Sequence, residues 1–585
     1  MADNPVAYEF SAQRVRHDVV TTTENFPTRL AGTEQVRLTA EYCVDELRGA
    51  GLQADVHTFP GLVSFPEETY VELSTSTPRR VRAMTFGHSA PTPEAGVWGE
   101  IVDVGSGTEA DYRGRDVAGG IVLVDTQAGP GRQEKQRIAA LHGAVGYIGI
   151  NWGHATDETL PYGSVKCGWG NPSPIASRGE VPTLPCIGVS RAEGERIRSQ
   201  LRQGALHACL HTRVSNPWKP VQVALGCLPG QTDDFVLVGG HIDSWEGPQA
   251  TDNATGMACM LELARVFAQH RERLRRGLEF GFWVGHETGT MIGSAWYADR
   301  NWRRLQRHAV AYLQIDQPGC RGATHWGATS NTELRPFQER VDKLWTDGRP
   351  WSWRRAMKIG DTSFYGAGVP MLSGLATFDA ATLKDTANAT LGAWHHTVEN
   401  TLDKVDWDGL AMHLRVYGAY LWELCTQPVL PLSFGGVANE ILQRLDVLCR
   451  VGAPLPLDEV KAEALRLQSG VTRLDRLIQS DDVTRHAEIV NECLKRLSRH
   501  LIPVTHTVQG RYGHDTYGLS AQTTSLPGLY GLADWAREPI GTPDWVGKEI
   551  DFLRERNRIG DALADASDEI DRCLALVGSE PGGKH

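Results

Sequence analysis

Residues 235–256 read FVLVGGHIDSWEGPQATDNATG, and residues 278–294 read LEFGFWVGHETGTMIGS. An apolar strand from Phe235 to Val238 runs into Gly239-Gly240-His241-Ile242-Asp243, and a loop containing Gly and Asn then presents Asp252. A second apolar strand, Leu278 to Val284, ends on His286-Glu287. Metal-type side chains therefore follow the C-terminal ends of two strands. In open α/β sheets that edge is where ligands bind. The stretch predicts a metal site that the rest of the chain shapes.

Outward from this stretch, residues 207–430 alternate strand and helix: strand 235–240, helix from Thr255 to His270, strand 278–284, helix 293–305, strand 309–315. The alternation predicts an α/β fold, a mainly parallel mixed sheet sandwiched by helices. Residues 8–50 read as helical, and a short strand spans Ala54 to Phe59. Residues 1–60 are too short for a domain of their own, so 1–60 and 207–430 are assigned to one discontinuous domain. Between them, VWGEIVDVG (97–105), GGIVLVD (119–125), GAVGYIGIN (143–151) and LPCIGVS (184–190) recur between Gly and Pro residues. They predict a β-rich inserted domain over 61–206. Its segment 153–183, rich in Gly, Pro and Ser, reads as an exposed loop. After Pro428 the strands stop. Residues 436–450, 457–479, 483–500 and 544–577 have helical periodicity, which predicts a C-terminal helical domain over 431–585 with an irregular stretch at 503–543.

The bulk numbers narrow the function. A chain of 585 residues exceeds a single core. A net charge of −12 argues against nucleic-acid binding, which needs a basic face. No apolar run reaches the length of a membrane span. The opening MADNPVAYEFSAQRVRHD has no apolar core of the signal-peptide kind, so the expected location is the cytoplasm. The 11 cysteines show no CxxC pair and read as buried thiols. A metal here must use His and carboxylate ligands.

The candidates are His241, Asp243, Asp252, His286, Glu287, Asp316 and His396. Asp316 ends the strand AVAYLQID, and His396 lies in WHHTVENTLDKVD. Mixed ligation of this kind suits Zn²⁺, and less specifically Mn²⁺ or Co²⁺. Asp243, two residues after His241, is placed to hold that imidazole as an acceptor. Taken singly, each residue is more often a helix cap, a turn former or a surface group. The set, gathered in one predicted domain, is what points to metal.

These words resemble a known family. GGHIDSW, GPQATDNATG, FWVGHE followed by IGS, LQID, GDTSFYGAGVP (360–370) and HHTVENTLDKVD are similar to motifs of the zinc-dependent metallopeptidases. That family includes bacterial leucine aminopeptidases, glutamate carboxypeptidase II and, as a non-catalytic relative, transferrin receptor. FPTRLAGTEQ resembles the family's opening, residues 61–205 its protease-associated insert, and 494–531 its C-terminal dimerisation domain. The resemblance implies two divalent metal ions, zinc first among them. One would be held by His241 and Glu287, the other by Asp316 and His396, with Asp252 as bridge. It also implies a small-molecule or short-peptide substrate and a homodimer formed through the C-terminal helical domain, with no nucleic-acid or membrane partner.

One departure stands out. Where the family carries Glu-Glu, a general base followed by a ligand, this chain has His286-Glu287. Aligning on Gly285 makes Glu287 the ligand and puts His286 in the base's place. Aligning on Gly293-Ser294 makes Glu287 the base and Thr288 the ligand. Thr is a poor zinc ligand, which favours the first. His286 can then serve as base, as acid toward a leaving nitrogen, or as a substrate-binding group. Asn400 stands where relatives often show Asp. The leading expectation is a binuclear metal hydrolase of an amide or peptide C–N bond, of aminopeptidase, carboxypeptidase or amidase type. The alternatives are a metal-dependent C–N lyase or cyclase, and a receptor or scaffold without catalysis. The pocket wall is expected from 160–180, 325–365 and 503–543, where Trp169, Trp326, Trp351, Trp353, Arg354, Arg511, Tyr512, His514 and Tyr517 are possible contacts.

Overall fold

The computed structural model describes residues 4–75, 77–174, 181–451 and 455–579. Its centre is an eight-stranded mixed sheet. In spatial order the strands are Gln53–Leu62, Trp218–Leu228, Gly277–Trp283, Phe235–His241, Ala309–Gln314, Met371–Thr377, His325–Ser330 and Trp351–Arg355. The third to sixth of these run parallel to one another. The first two pairings, and that of Met371–Thr377 with His325–Ser330, are antiparallel.

Phe235–His241 is buried at every position, as a central strand covered on both faces must be. Its two glycines allow this packing. A Cβ on Gly239 would sit 2.3 Å from the Trp283 indole, and one on Gly240 would sit 2.4 Å from the Ile315 carbonyl. From Phe235–His241 the chain crosses to the neighbour on one side, Gly277–Trp283. It then crosses back over to the other neighbour, Ala309–Gln314. Right-handed crossovers in opposite directions put the connecting helices on opposite faces and open a crevice at the strands' C-terminal ends. Those connections are Thr255–Gln269 for the first and Ile292–Arg300 with Trp302–His308 for the second. The expected single helix over 293–305 is thus two helices, divided at Asn301.

Seven strands between residues 68 and 210 close into a barrel around Val71, Leu73, Ile121, Leu123, Ile148, Ile187 and Val189. The segment 153–183 departs from the expected exposed loop. Tyr162, Val165, Cys167 and Trp169 in it are buried, because it lies against the central sheet's crevice; residues 175–180 fall outside the described residues. Tyr162 N–H, for example, donates to the His396 carbonyl. Downstream, helices Gly435–Arg450, Asp458–Ile478, Ala487–His506 and Pro543–Ser579 pack together. The third continues six residues beyond the expected 500, through Pro503, with Ile502, Val504 and Thr505 buried. No helix among the described residues is long and apolar enough to cross a membrane. The described cysteines are unpaired, and most are buried.

Candidate metal centre

Three adjacent parallel strands aim three ligand-type side chains into the crevice. His241 is the last residue of its strand, Glu287 lies four residues past Trp283, and Asp316 two past Gln314. Asp252 comes from the irregular turn Ala250–Ala254, and His396 from a loop at positive φ. Two buried amides hold these loops together. Asn253 Oδ1 accepts from Gly256 N and Gln317 N, each at 3.1 Å, and its Nδ2 donates to the Ile315 carbonyl. Asn400 Oδ1 accepts from the Thr251 N–H and hydroxyl, each at 3.0 Å. Asn400 is therefore a structural support of the Asp252 loop.

A buried arginine supports the other side. Arg29, from FPTRLAGTEQ, donates to the carbonyls of Ile242, Phe26, Pro248 and Gln249. It thereby fixes the chain between His241 and Asp252. Nothing local in the sequence marks Arg29 for this role, since three of its four acceptors lie more than 200 residues away.

All five expected ligands meet. His241 Nε2 is 3.2 Å from Asp252 Oδ1 and 3.3 Å from Asp316 Oδ1. His396 Nε2 is 3.3 Å from Asp252 Oδ2 and 3.1 Å from Glu287 Oε1. The pairing differs from the expected one. His241 groups with Asp316 and His396 with Glu287: the strands leading to Asp316 and to Glu287 flank that of His241 on either side, and the His396 loop meets the Glu287 side. Asp252 spans both groups, one oxygen to each. His395, the residue before His396 in HHTVENT, is also buried, with Nδ1 3.2 Å from Asp252 Oδ2.

These donors fit a zinc-type ion. Atoms bound to one tetrahedral zinc at about 2.0–2.1 Å lie about 3.3 Å apart, the spacing found here. Asp252 Oδ1, Asp252 Oδ2 and Glu287 Oε1 are buried without a hydrogen-bond donor. Buried carboxylate oxygens otherwise find donors, and unpaired ones are costly. The electrostatics agree. Burial raises the Asp252 carboxyl, yet His241, His395 and His396 hold it well below the usual range. Burial opposes charge on His241, yet Asp316 and Asp252 hold its pKa well above the usual range.

Asp243 plays a different part from the expected one. Its carbonyl, not its carboxylate, accepts from His241 Nδ1 at 2.8 Å. The carboxylate, with its pKa pushed by burial up to about 6, accepts from the N–H groups of His286 and Glu287, each at 3.1 Å. It caps the turn that follows Gly285, where the first N–H groups lack internal partners. From the barrel, His88 Nε2 donates to the Thr288 carbonyl of the same turn at 2.8 Å. Trp245 Nε1 donates to Glu287 Oε2 at 2.7 Å, which orients that carboxylate toward His396.

His286 sits beside the ligands, its ring stacked on that of His241 with centroids 4.0 Å apart. Its Nδ1 lies 2.8 Å from Asp361 Oδ2. Burial and His241 lower its pKa, and the Asp361 carboxylate outweighs them, raising it to about 9. Asp361 belongs to GDTSFYGAGVP, quoted above as a motif without a role for this residue.

The barrel also sends Arg132 into the centre. Its NH2 is 3.3 Å from His396 Nδ1, and its guanidinium lies over Trp152 at 5.8 Å. Of the possible pocket residues, Trp169 and Tyr517 stack at 5.9 Å, and Lys358 Nζ lies over Trp169. Trp326 is in the core, Trp351 and Trp353 donate to Asp342 and Ser330, and Tyr512 is exposed against Trp302.

Comparison with known proteins agrees with this geometry. Residues 224–421 match the model of Peptidase family M28, and residues 97–197 that of the PA domain. A probable lipoprotein aminopeptidase of Mycobacterium tuberculosis is 26% identical over 419 residues, covering 66% of this chain and 79% of that protein. A probable glutamate carboxypeptidase of Arabidopsis thaliana is 26% identical over 351 residues, 49% of each chain. The crystal structure of a zinc aminopeptidase from Bacillus subtilis superposes with a TM-score of 0.53 at 20% identity, covering 72% of this chain and 97% of that one. Residues 224–421 are therefore similar to Peptidase family M28, a family of metal-dependent hydrolases, and residues 97–197, ahead of them in the chain, to the PA domain.

Proposed function

We propose that this peptidase uses two metal ions bridged by Asp252, takes His286 as its general base, and prefers short substrates with a carboxylate beside the scissile amide. One observation carries the preference: Arg132 is a buried cation with no carboxylate in direct contact among the described residues, Glu287 and Asp252 acting on it only from a distance. It makes no ion pair among the described residues, and its buried Nε has no partner. If His396 holds a metal through Nε2, its Nδ1 would keep its proton and would offer Arg132 no lone pair. Burial already lowers the guanidinium's pKa, so an anion arriving there relieves an exposed cost. The cleft carboxylates are engaged: Asp252, Glu287 and Asp316 among the ligands, Asp361 with His286 and Ser294. A substrate's α-ammonium group finds no partner among these, whereas a carboxylate finds Arg132.

When bound, zinc ions would supply Lewis acidity and lower the pKa of water. His241, Asp316, Asp252, Glu287 and His396 would hold them. The His286 pKa, raised by Asp361, would be lowered by the charge of the bound ions, and the neutral ring would take the water's proton at Nε2, its Nδ1 proton being held by Asp361. Arg132 seats the carboxylate, and the Trp169 and Tyr517 rings line the barrel side.

N-acyl dipeptides and their C-terminal amides test this reading with zinc-loaded protein. The free acids are expected to be cleaved at least about tenfold better in kcat/KM. Arg132→Ala is expected to erase that difference by raising KM about 10–100-fold for the acids alone. Equal cleavage of acids and amides by the unaltered protein would remove the carboxylate preference.

The reading includes self-association through the C-terminal helices, where Tyr530, Ile540, Val546 and Ile550 leave apolar side chains exposed. Sedimentation velocity should give twice the chain mass of 64.2 kDa, and a monomeric mass would end this part of the reading.

A further inference from the structure

A chain of hydrogen bonds runs from the barrel to His286. The Trp169 indole Nε1 donates to Ser363 Oγ at 2.8 Å. Ser363 Oγ and Ser294 Oγ are 2.9 Å apart. Ser294 Oγ donates to Asp361 Oδ1 at 2.7 Å, and His286 Nδ1 meets Asp361 Oδ2 at 2.8 Å. Every link is at least mostly buried: Trp169 is 5% exposed, Ser363 3%, Ser294 0% and Asp361 1%.

The direction of this chain agrees at both ends, since the ionised Asp361 carboxylate can only accept. An indole N–H can only donate. Ser363 therefore accepts from Trp169 and has its own proton to give to Ser294. Ser294 then accepts from Ser363, and its single proton goes to Asp361 Oδ1, nearer than its other acceptor, the Met291 carbonyl at 3.4 Å. Asp361, supplied on one oxygen, accepts on the other from Nδ1–H of His286. The ring is left with its lone pair on Nε2. The indole donor adds to this polarity by occupying a lone pair of Ser363 and holding its hydroxyl in place.

The Trp169 loop is anchored independently of this chain. Gly170 N–H donates to the Thr290 carbonyl at 2.7 Å, and the Thr290 hydroxyl donates to the Lys166 carbonyl at 3.2 Å. Thr290 and Met291 both have positive φ, so the turn carrying His286 and Glu287 holds an uncommon conformation against the barrel.

We propose that Trp169, Ser363, Ser294 and Asp361 are positioning residues that fix the tautomer and ring orientation of His286, so that the inserted barrel sets the geometry of the base. This rests on the reading of His286 as base, and its test includes a measurement that does not. Ring-¹⁵N-labelled histidine in the zinc-loaded protein, with His286→Ala to assign the signal, reports which nitrogen of the neutral ring carries hydrogen. Hydrogen on Nδ1 is expected in the unaltered protein. In Asp361→Asn, whose amide can turn its NH₂ toward the ring, the hydrogen moves wholly or partly to Nε2. There kcat falls on the order of 10²–10⁴-fold with zinc retained, the range for a triad whose aspartate is made neutral. Trp169→Phe keeps the stack on Tyr517 but removes the donor. That variant and Ser363→Ala are expected to lower kcat about 3–30-fold with KM within about threefold. Nδ1 still protonated in Asp361→Asn overturns the proposal. So does turnover within about twofold of normal in both Trp169→Phe and Ser363→Ala. A moved hydrogen with unchanged turnover in Asp361→Asn supports the positioning and removes His286 from the chemistry instead.

Discussion

Asp252→Asn is expected to cost roughly 10⁴-fold or more in kcat/KM and to leave the purified protein with far less bound zinc. Asp252 is the one side chain that reaches both ligand groups, with Oδ1 3.2 Å from His241 Nε2 and Oδ2 3.3 Å from His396 Nε2. Asparagine keeps the volume but supplies one acceptor oxygen and an NH₂ that cannot ligate. It also removes one negative charge from a site proposed to hold two dications, where a buried carboxylate counts far more than on the surface. The fold should survive, because the loop's backbone is held by Asn253, Asn400 and Arg29 and not by the carboxylate. Metal analysis and far-ultraviolet circular dichroism therefore separate loss of metal from loss of structure. An Asn variant that keeps two zinc ions per chain and normal turnover would show that Asp252 is not the bridge.

His286→Ala is expected to lower kcat about 10²–10⁴-fold while zinc content stays as in the unaltered protein. The ligands Glu287 and His396 keep their supports, since Trp245 and the Asp243 carboxylate bind Glu287 without help from the His286 ring. The more telling variant is His286→Glu, which restores the family's acidic pair. It is expected to remain nearly as slow. A glutamate there faces Asp361, which now lies 2.8 Å from the histidine ring, and two carboxylates so close cannot both stay ionised and correctly placed. Combining His286→Glu with Asp361→Asn removes the conflict and should recover at least about tenfold over His286→Glu alone, a non-additive result that neighbouring groups produce. Full activity in the single His286→Glu variant would show that Asp361 does not define the base.

Much of the site was legible because ligands carried by strands announce themselves. An apolar run, then His241; another, then Glu287; a third, then Asp316: each is local, and each survives in the structure. The same holds for the helical periodicity of 436–450, 457–479 and 544–577, where the buried stripe is written in the spacing. Asp243 was legible as a residue but not in its role. Two positions from His241, it was expected to turn its carboxylate to the ring, and the turn geometry sends that carboxylate to the N–H groups of His286 and Glu287 instead.

The sequence by itself predicted an α/β fold, a resemblance to the metallopeptidases and five candidate ligand residues, which the structure brings together. Those depend on which residues follow an apolar strand, and that is a property of short segments. The tertiary structure alone decided how the candidate ligands divide: the strands leading to Asp316 and to Glu287 both flank that of His241, and only the folded loops bring Asp316 to His241 and Glu287 to His396. It alone brought Arg132 and Trp169 from the barrel to the centre, across 264 residues to His396 in the one case and 194 to Ser363 in the other. No local pattern encodes such contacts, since they exist only once two separately folded layers have packed face to face.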